Sequence, residues 1–286
     1  MNRFGLALVL VGASLGYGPW CLADTGAGGA SAASVARLGI ERVLPPALPG
    51  AKVRTPARIE GMFAYPEPAA TPGPATASPY GLGADATTGK AATGRAGLQA
   101  MSLEEGIRAL QQGRLDAWMG VIPADQAVPD GLRAEPLAWS AAAMAIMRTD
   151  TDIHAWRDLA GRSVCVSGDG RHVDEVAARY GAIEQIYPAA ADALLALRTG
   201  GCDAAVMDEA LLQHLLAFPE WQKFSTRLRP TTDERLWWIS RRRQAGNPAA
   251  VSFGAPEPAD LQALGRSQAR DIAFEVYLDQ TVPDCH

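Results

Sequence analysis

Five consecutive positions, Ser167-Gly168-Asp169-Gly170-Arg171, bring together a hydroxyl, a carboxylate, a guanidinium and two glycines. A further carboxylate, Asp208, follows the apolar run Cys202–Met207. The five-residue stretch follows the β-branched run Ser163–Val166, so both candidates sit where a short strand ends. In parallel α/β sheets ligands bind beyond the carboxyl ends of the strands. These residues are therefore expected at a binding edge. His172 is the one neighbour suited to moving a proton, and a lone histidine in the first turn of a helix is expected at the surface. His154, His172, His214 and His286 have no zinc-ligand spacing, and no HExxH, P-loop or GxSxG occurs. Asp284-Cys285-His286 in the tail is a poor preformed metal site. No metal, no cofactor and no catalytic residue is expected.

The elements that must position these residues are legible around them. Val173–Tyr180 has helical spacing and stops at Gly181. Ile183–Tyr187 reads as a strand, Asp192–Arg198 as a helix stopped by Gly200-Gly201, and Cys202–Met207 as a third strand. Strands alternating with helices of this length predict a parallel sheet built from βαβ units. Upstream, Leu98–Met101 reads as a strand, Ser102 and Glu105 as a capping box, Leu103, Ile107 and Leu110 as one helix face, and Leu115–Met119 as a strand after Gly113. The stretch ALQQGRLDA at 109–117 matches ALRTGGCDA at 196–204 at an offset of 87 residues, which predicts two related lobes. Asp116 and Asp203, repeated with it, are expected to cap strand starts. Arg58–Tyr65 is predicted as a strand, 66–79 as a proline-rich loop, 121–132 as a loop and Ala141–Arg148 as a buried strand crossing between the lobes. Leu211–Leu216 continues as a helix. Arg235–Arg241 is a strand returning to the first lobe, and Asp260–Leu278 is an amphipathic helix.

The chain has 286 residues, 48% of them hydrophobic and 20% charged, with a formal net charge of −5. That length suffices for two α/β lobes. The mild acidic excess argues against nucleic acid or an anionic membrane as partner. Residues 1–23, with Arg3 ahead of an apolar core and Ala23 before Asp24, read as an export signal, and 24–57 as a flexible lead-in. The divisions that follow are 58–148 for the first part of lobe 1, 149–232 for lobe 2, and 233–286 for the return to lobe 1 and the C-terminal helix. Export to an oxidising compartment favours pairing of cysteines. Cys165 and Cys202 fall on neighbouring strands of such a unit and are predicted to form a disulfide, the alternative being two buried thiols.

The segments SLEEGIRALQQGRLDAWMG, RAEPLAWS, DLAGRSVCVSGDG and IYPAAADALLALRTGGCDAAVMDEALL, in this order, resemble the periplasmic solute-binding proteins of polar-amino-acid ABC transporters. The resemblance covers roughly 58–228. It implies a two-lobed, type II periplasmic-binding-protein-like α/β fold, each lobe a mostly parallel sheet flanked by helices, with a ligand held in a cleft that closes on a hinge. It further implies that Arg133, seven residues before Ser140, clamps a ligand carboxylate with Trp139 beside it. An arginine's planar fork suits that task. Ser167, Gly168 and Gly170 would supply a turn that favours an anion, with Arg171 next to it. Asp208 would pair with a ligand ammonium, and Tyr65 or Tyr80 would wall the cleft. The expected function is a monomeric periplasmic receptor that delivers an amino acid or similar zwitterion to an inner-membrane ABC permease. The alternatives are an accessory or sensor module with altered or lost ligand binding, and a prephenate-dehydratase-like enzyme on the same fold.

Overall fold

The computed structural model describes residues 37–42, 53–63, 98–242 and 254–280. Among these residues ten strands form two sheets. They are β1 (Leu38–Glu41), β2 (Leu98–Met101), β3 (Ala117–Val121), β4 (Leu132–Ser140), β5 (Ala143–Met147), β6 (Ser163–Ser167), β7 (Ile183–Tyr187), β8 (Ala204–Asp208), β9 (Thr226–Leu228) and β10 (Arg235–Arg241). One sheet has the order β2-β1-β3-β10-β4 and the other β7-β6-β8-β5-β9. In each, three neighbouring strands run parallel and the fourth is antiparallel to them. Strands such as β6 and β8 read as unbroken apolar runs because parallel strands are covered on both faces. This is the two-lobed, type II binding-protein-like α/β architecture that the resemblance implies.

The helices are α1 (Ile59–Met62), α2 (Leu103–Gln111), α3 (Glu175–Tyr180), α4 (Ala190–Arg198), α5 (Glu209–Leu215) and α6 (Pro258–Asp279). The capping box starts α2: Glu105 N–H donates to Ser102 Oγ at 3.2 Å, and Ser102 N–H donates to Glu105 Oε2 at 2.8 Å. Gly106 lets α2 close on β3, since a Cβ there would stand 2.4 Å from the Trp118 ring. Helix α6 packs on α4 and α5 of the second lobe and on α1 and β4 of the first. It therefore bridges the lobes instead of belonging to one.

The repeat at offset 87 has a physical meaning. Asp116 N–H donates to the Arg37 carbonyl and Asp203 N–H to the Ser163 carbonyl, each at 2.9 Å. Each aspartate side chain then accepts back, Asp116 from Arg37 N–H and Asp203 from Ser163 N–H, again at 2.9 Å. In both lobes an aspartate at the start of the third strand staples it to the start of the first.

Two sequence expectations change. Within the described part of the predicted strand Arg58–Tyr65, which ends at Phe63, there is no strand: Ile59–Met62 is a helical turn, closed by Gly61 N–H on the Arg58 carbonyl at 3.0 Å. Ile59 and Phe63 are four apart, so they satisfy the strand period and the helix period alike. The ladder position beside β2 and β3 is held by β1, which falls inside 24–57, a stretch that reads as a lead-in. The lobes are joined at Ser140–Ala143 and again between β9 and β10, and the Ala141 N–H donates to the Glu234 carbonyl at 2.9 Å across these two crossings.

Cys165 and Cys202 form the predicted disulfide, with Cα atoms 5.8 Å apart and a sequence separation of 37. Cys202 lies in the turn just before β8, not within it. Closing a loop of that length lowers the unfolded chain's entropy by about 4 kcal/mol at 25 °C. The variant Cys165→Ala/Cys202→Ala is expected to lose about 2–4 kcal/mol in urea unfolding, as is reduction of the wild type.

Candidate functional site

Glu41 ends β1, Val121 ends β3, Ser167 ends β6 and Asp208 ends β8, so the carboxyl ends of the parallel strands of both lobes face one seam. Arg171 crosses it. Its Nη2 donates to Glu60 Oε1 at 2.6 Å, its Nη1 to Glu41 Oε2 at 3.1 Å and its Nε to Asp208 Oδ1 at 3.3 Å. Glu41 and Glu60 belong to the first lobe, Arg171 and Asp208 to the second. The Glu60 and Asp208 side chains are 0% and 2% exposed and that of Arg171 8%. Each guanidinium nitrogen thus faces a carboxylate in a water-poor seam, where such bonds are strongest.

The surroundings set the charges. Burial works against a charged Arg171, but Glu60, Asp208 and Glu41 outweigh it and hold the guanidinium firmly protonated. Burial likewise opposes an ionised Asp208, yet Arg171 and His172 keep its carboxyl below the ordinary range. Glu60 goes the other way: burial pushes it up against the pull of Arg171 and Arg58. Arg58 lies behind the cluster, 3.5 Å from Glu41 and donating to the carbonyls of Glu41 and Arg42 at 3.1 Å each. Glu41 Oε2 also accepts from Val121 N–H at 3.1 Å, which ties it to the end of β3. Glu60 Oε2 and Asp208 Oδ2 are buried with no hydrogen-bond partner among the described residues.

His172 is buried, not exposed as expected from sequence. Its Nδ1 lies 2.7 Å from Glu175 Oε2 and its Nε2 3.1 Å from Asp208 Oδ1. Two acceptors facing two ring nitrogens suit the imidazolium, which donates from both. Burial disfavours that charge, but the bonds to Asp208 and Glu175 prevail and raise the imidazole's pKa.

The glycine turn is engaged with the chain itself. Gly168 N–H donates to the Tyr187 carbonyl at 2.7 Å and Gly170 N–H to the Ser167 carbonyl at 2.9 Å. The Ser167 hydroxyl donates to Asp169, whose other oxygen accepts the Ala57 N–H from the first lobe at 3.0 Å. Asp169 therefore crosses the seam as Arg171 does, and burial pushes its carboxyl up. Gly170 allows the close turn: a Cβ there would stand 3.0 Å from the Ser167 carbonyl oxygen. Even the start of α3 is taken, with Glu184 accepting from the N–H groups of Asp174 and Ala177 at 2.7 and 2.8 Å.

Of the residues singled out from sequence, Ser167, Gly168, Gly170, Arg171 and Asp208 come together here. Arg133 does not. It stands at the start of β4, and the seven-residue spacing to Ser140 is extended strand, roughly 23 Å long. Its exposed side chain pairs with Glu135 at 2.8 Å, on the strand's far end. Trp139 is core: it is buried against His214, 6.0 Å between ring centroids, and above Gly265. Tyr65 and Tyr80 lie outside the described residues. Glu41, Glu60, Arg58 and His172 complete the cluster without having been singled out as contacts. The available signal was a charged residue inside an apolar run, as in Leu38–Glu41 and in RIEGMF. Among the described residues no group of three or more His, Cys, Asp or Glu side chains is placed to hold a metal ion.

Asp208 carries the sharpest structural prediction, because its loss leaves Arg171 and His172 facing fewer anions in a buried place. Asp208→Asn is expected to cost about 3–5 kcal/mol in urea unfolding. His172 sets a pH dependence. A group with a raised native pKa contributes its full stability below its ordinary value, about pH 6.5, and loses that contribution as pH climbs through the native value. Wild-type stability should therefore fall above about pH 6.5, and His172→Gln should flatten that limb. An unchanged limb in the variant would assign the slope to another group.

No protein-family profile matches the chain, and no curated protein does. Among solved structures the chain is similar to the substrate-binding protein of an amino acid ABC transporter (16% identity, 65% of this chain and 80% of that one, TM-score 0.36). It is similar to the GluR0 ligand-binding core in complex with L-glutamate (15% identity, 87% and 99%, TM-score 0.42). It is also similar to the periplasmic VFT2 domain of BvgS from Bordetella pertussis (16% identity, 63% and 74%, TM-score 0.34).

Proposed function

We propose that the chain is an exported receptor that captures the positively charged group of an amino acid or related amine between its lobes, for delivery to an inner-membrane ABC permease. The observation that carries this reading is the convergence of Glu41 and Glu60 from one lobe and Asp208 from the other on a single cationic group. A cation site built from both lobes ties closure to occupancy, which is what a capture device requires. Its position beyond the strand ends supports the same reading. So do the Glu60 and Asp208 oxygens that have no hydrogen-bond partner among the described residues, which are acceptors suited to a cationic N–H donor.

A specific observation favours a second reading. The cationic group now in the site belongs to the chain's own Arg171, and the turn suited to an anion holds the chain's own Asp169. A module closed by its own charges would serve as an accessory or sensor domain that needs no solute. The dehydratase alternative asks for a histidine free to move a proton. Both ring nitrogens of His172 face carboxylates instead, which supports a non-catalytic role.

A thermal-shift panel of amino acids, polyamines and guanidino compounds tests the receptor reading. A ligand at 100 times its Kd adds about 2.7 kcal/mol of stability, readily visible as a raised Tm. At least one amine should shift the wild type, and Asp208→Ala should abolish the shift. Silence across the whole panel would sink the receptor reading and leave the accessory module.

A further inference from the structure

Three side chains of one short loop behave as if they were a bound solute. Asp169 presents a carboxylate that receives the Ser167 hydroxyl and the Ala57 N–H, and Arg171, two residues on, presents a guanidinium to Glu41, Glu60 and Asp208. His172 completes the set by lying against the same Asp208 oxygen. An anion and a cation held apart on one backbone are the recognition features of an amino acid zwitterion. Here both span the seam: the carboxylate reaches the first lobe's backbone and the guanidinium reaches its acids.

We propose that Arg171 is a tethered internal ligand: its guanidinium occupies a guanidinium-selective cage formed by Glu41, Glu60 and Asp208, holds the lobes shut, and must be displaced by any external cation. The selectivity follows from geometry. Nε, Nη1 and Nη2 each meet a different carboxylate, a planar three-way arrangement that a point-charge ammonium does not reproduce. The competition follows from tethering. A group on a short loop faces its site at an effective concentration in the millimolar range, so a free solute sees an affinity reduced by the fraction of molecules whose cage is vacant. Buried charge provides the closing force, because a seam that opened without a replacement cation would leave Glu60 and Asp208 uncompensated until water reached them. This rests on the reading of the seam as a solute site and assigns its regulation and its preferred chemical class.

The test is chemical rescue of Arg171→Ala, with Arg157→Ala as the exposed-arginine control. Arg171→Ala should have a lower Tm and a larger radius of gyration by small-angle scattering than the wild type. Methylguanidinium chloride at millimolar concentration should restore both saturably, while sodium chloride at equal ionic strength should not. Neither salt should move the wild type or Arg157→Ala. For any amine or guanidino compound that binds the wild type, affinity should rise about tenfold or more in Arg171→Ala. An unaltered Tm and radius in Arg171→Ala, or a lowered Tm without saturable rescue, overturns the tether. Loss of solute binding in Arg171→Ala also overturns it, making Arg171 an ordinary ligand contact while the receptor reading stands. Rescue by methylguanidinium with no response of the wild type to any amine keeps the tether and removes the receptor reading. Should Arg171→Ala not fold, Arg171→Lys carries the same test: its Tm should rise saturably with methylguanidinium, and no rise overturns the proposal.

Discussion

A guanidinium removed from water must be surrounded by acceptors, and that requirement organises this molecule. Arg171 finds its acceptors only when two lobes meet, since Glu41 and Glu60 come from one and Asp208 from the other. Buried ion pairs gain little over an apolar seam of the same shape, but breaking one by removing a partner is severe. The cluster is therefore weak evidence for net stability, although its acceptors come from both lobes. Apolar contacts through α6, which packs on elements of both lobes, supply the burial.

The scaffold is built to deliver those acceptors. Asp116 and Asp203 staple the first and third strands of each lobe at the ends away from the seam, so the opposite ends are fixed in register. The disulfide fastens β6 to the turn before β8, the two strands whose far ends carry the glycine turn and Asp208. Stiff strands with loosely committed loops at one end are the usual way to present polar groups to a solute. In this chain the loop after β6 has instead satisfied its own polar groups, through the Tyr187 and Ser167 carbonyls and across the seam at Ala57.

The second lobe was legible because each of its elements carries a signal of its own: apolar runs for β6 and β8, Gly181 in a left-handed conformation after α3, and glycines after α4. The first lobe was legible only in part: Leu98–Met101, the capping box of α2 and Arg235–Arg241 match the sequence reading, and the rest does not, for reasons visible in particular residues. Leu38–Glu41 is four residues long and contains Gly39, which sits where a Cβ would be 2.7 Å from Leu115, so tertiary packing and not local preference selects a strand there. No element was assigned to 133–140, where β4 carries Pro136; β4 is an edge strand in which a missing N–H is tolerated. For the site, strand-end logic located Ser167, Gly168, Gly170, Arg171 and Asp208. It missed Glu41 because β1 was not read as a strand, and Glu60 because it lies on a helical turn and not at a strand end. Arg133 was assigned by spacing from Ser140, and spacing along an extended strand places it far from the seam.

Charge balance bears on how the seam could accept a solute. Glu41, Glu60, Asp169, Asp208 and Glu175 face Arg58, Arg171 and His172, and the protonation of Glu60 and Asp169 is pushed upward by burial. An incoming cation added beside Arg171 would meet like charge within a few ångströms at low dielectric, a repulsion of several kcal/mol. Replacement of Arg171 by that cation leaves the total unchanged and only exposes Arg171 to water, where a guanidinium is well solvated. Exchange, not addition, is the electrostatically accessible route. It places the loop from Ser167 to His172 as the part that must move, since the cage acids are fixed to strand ends and to α1.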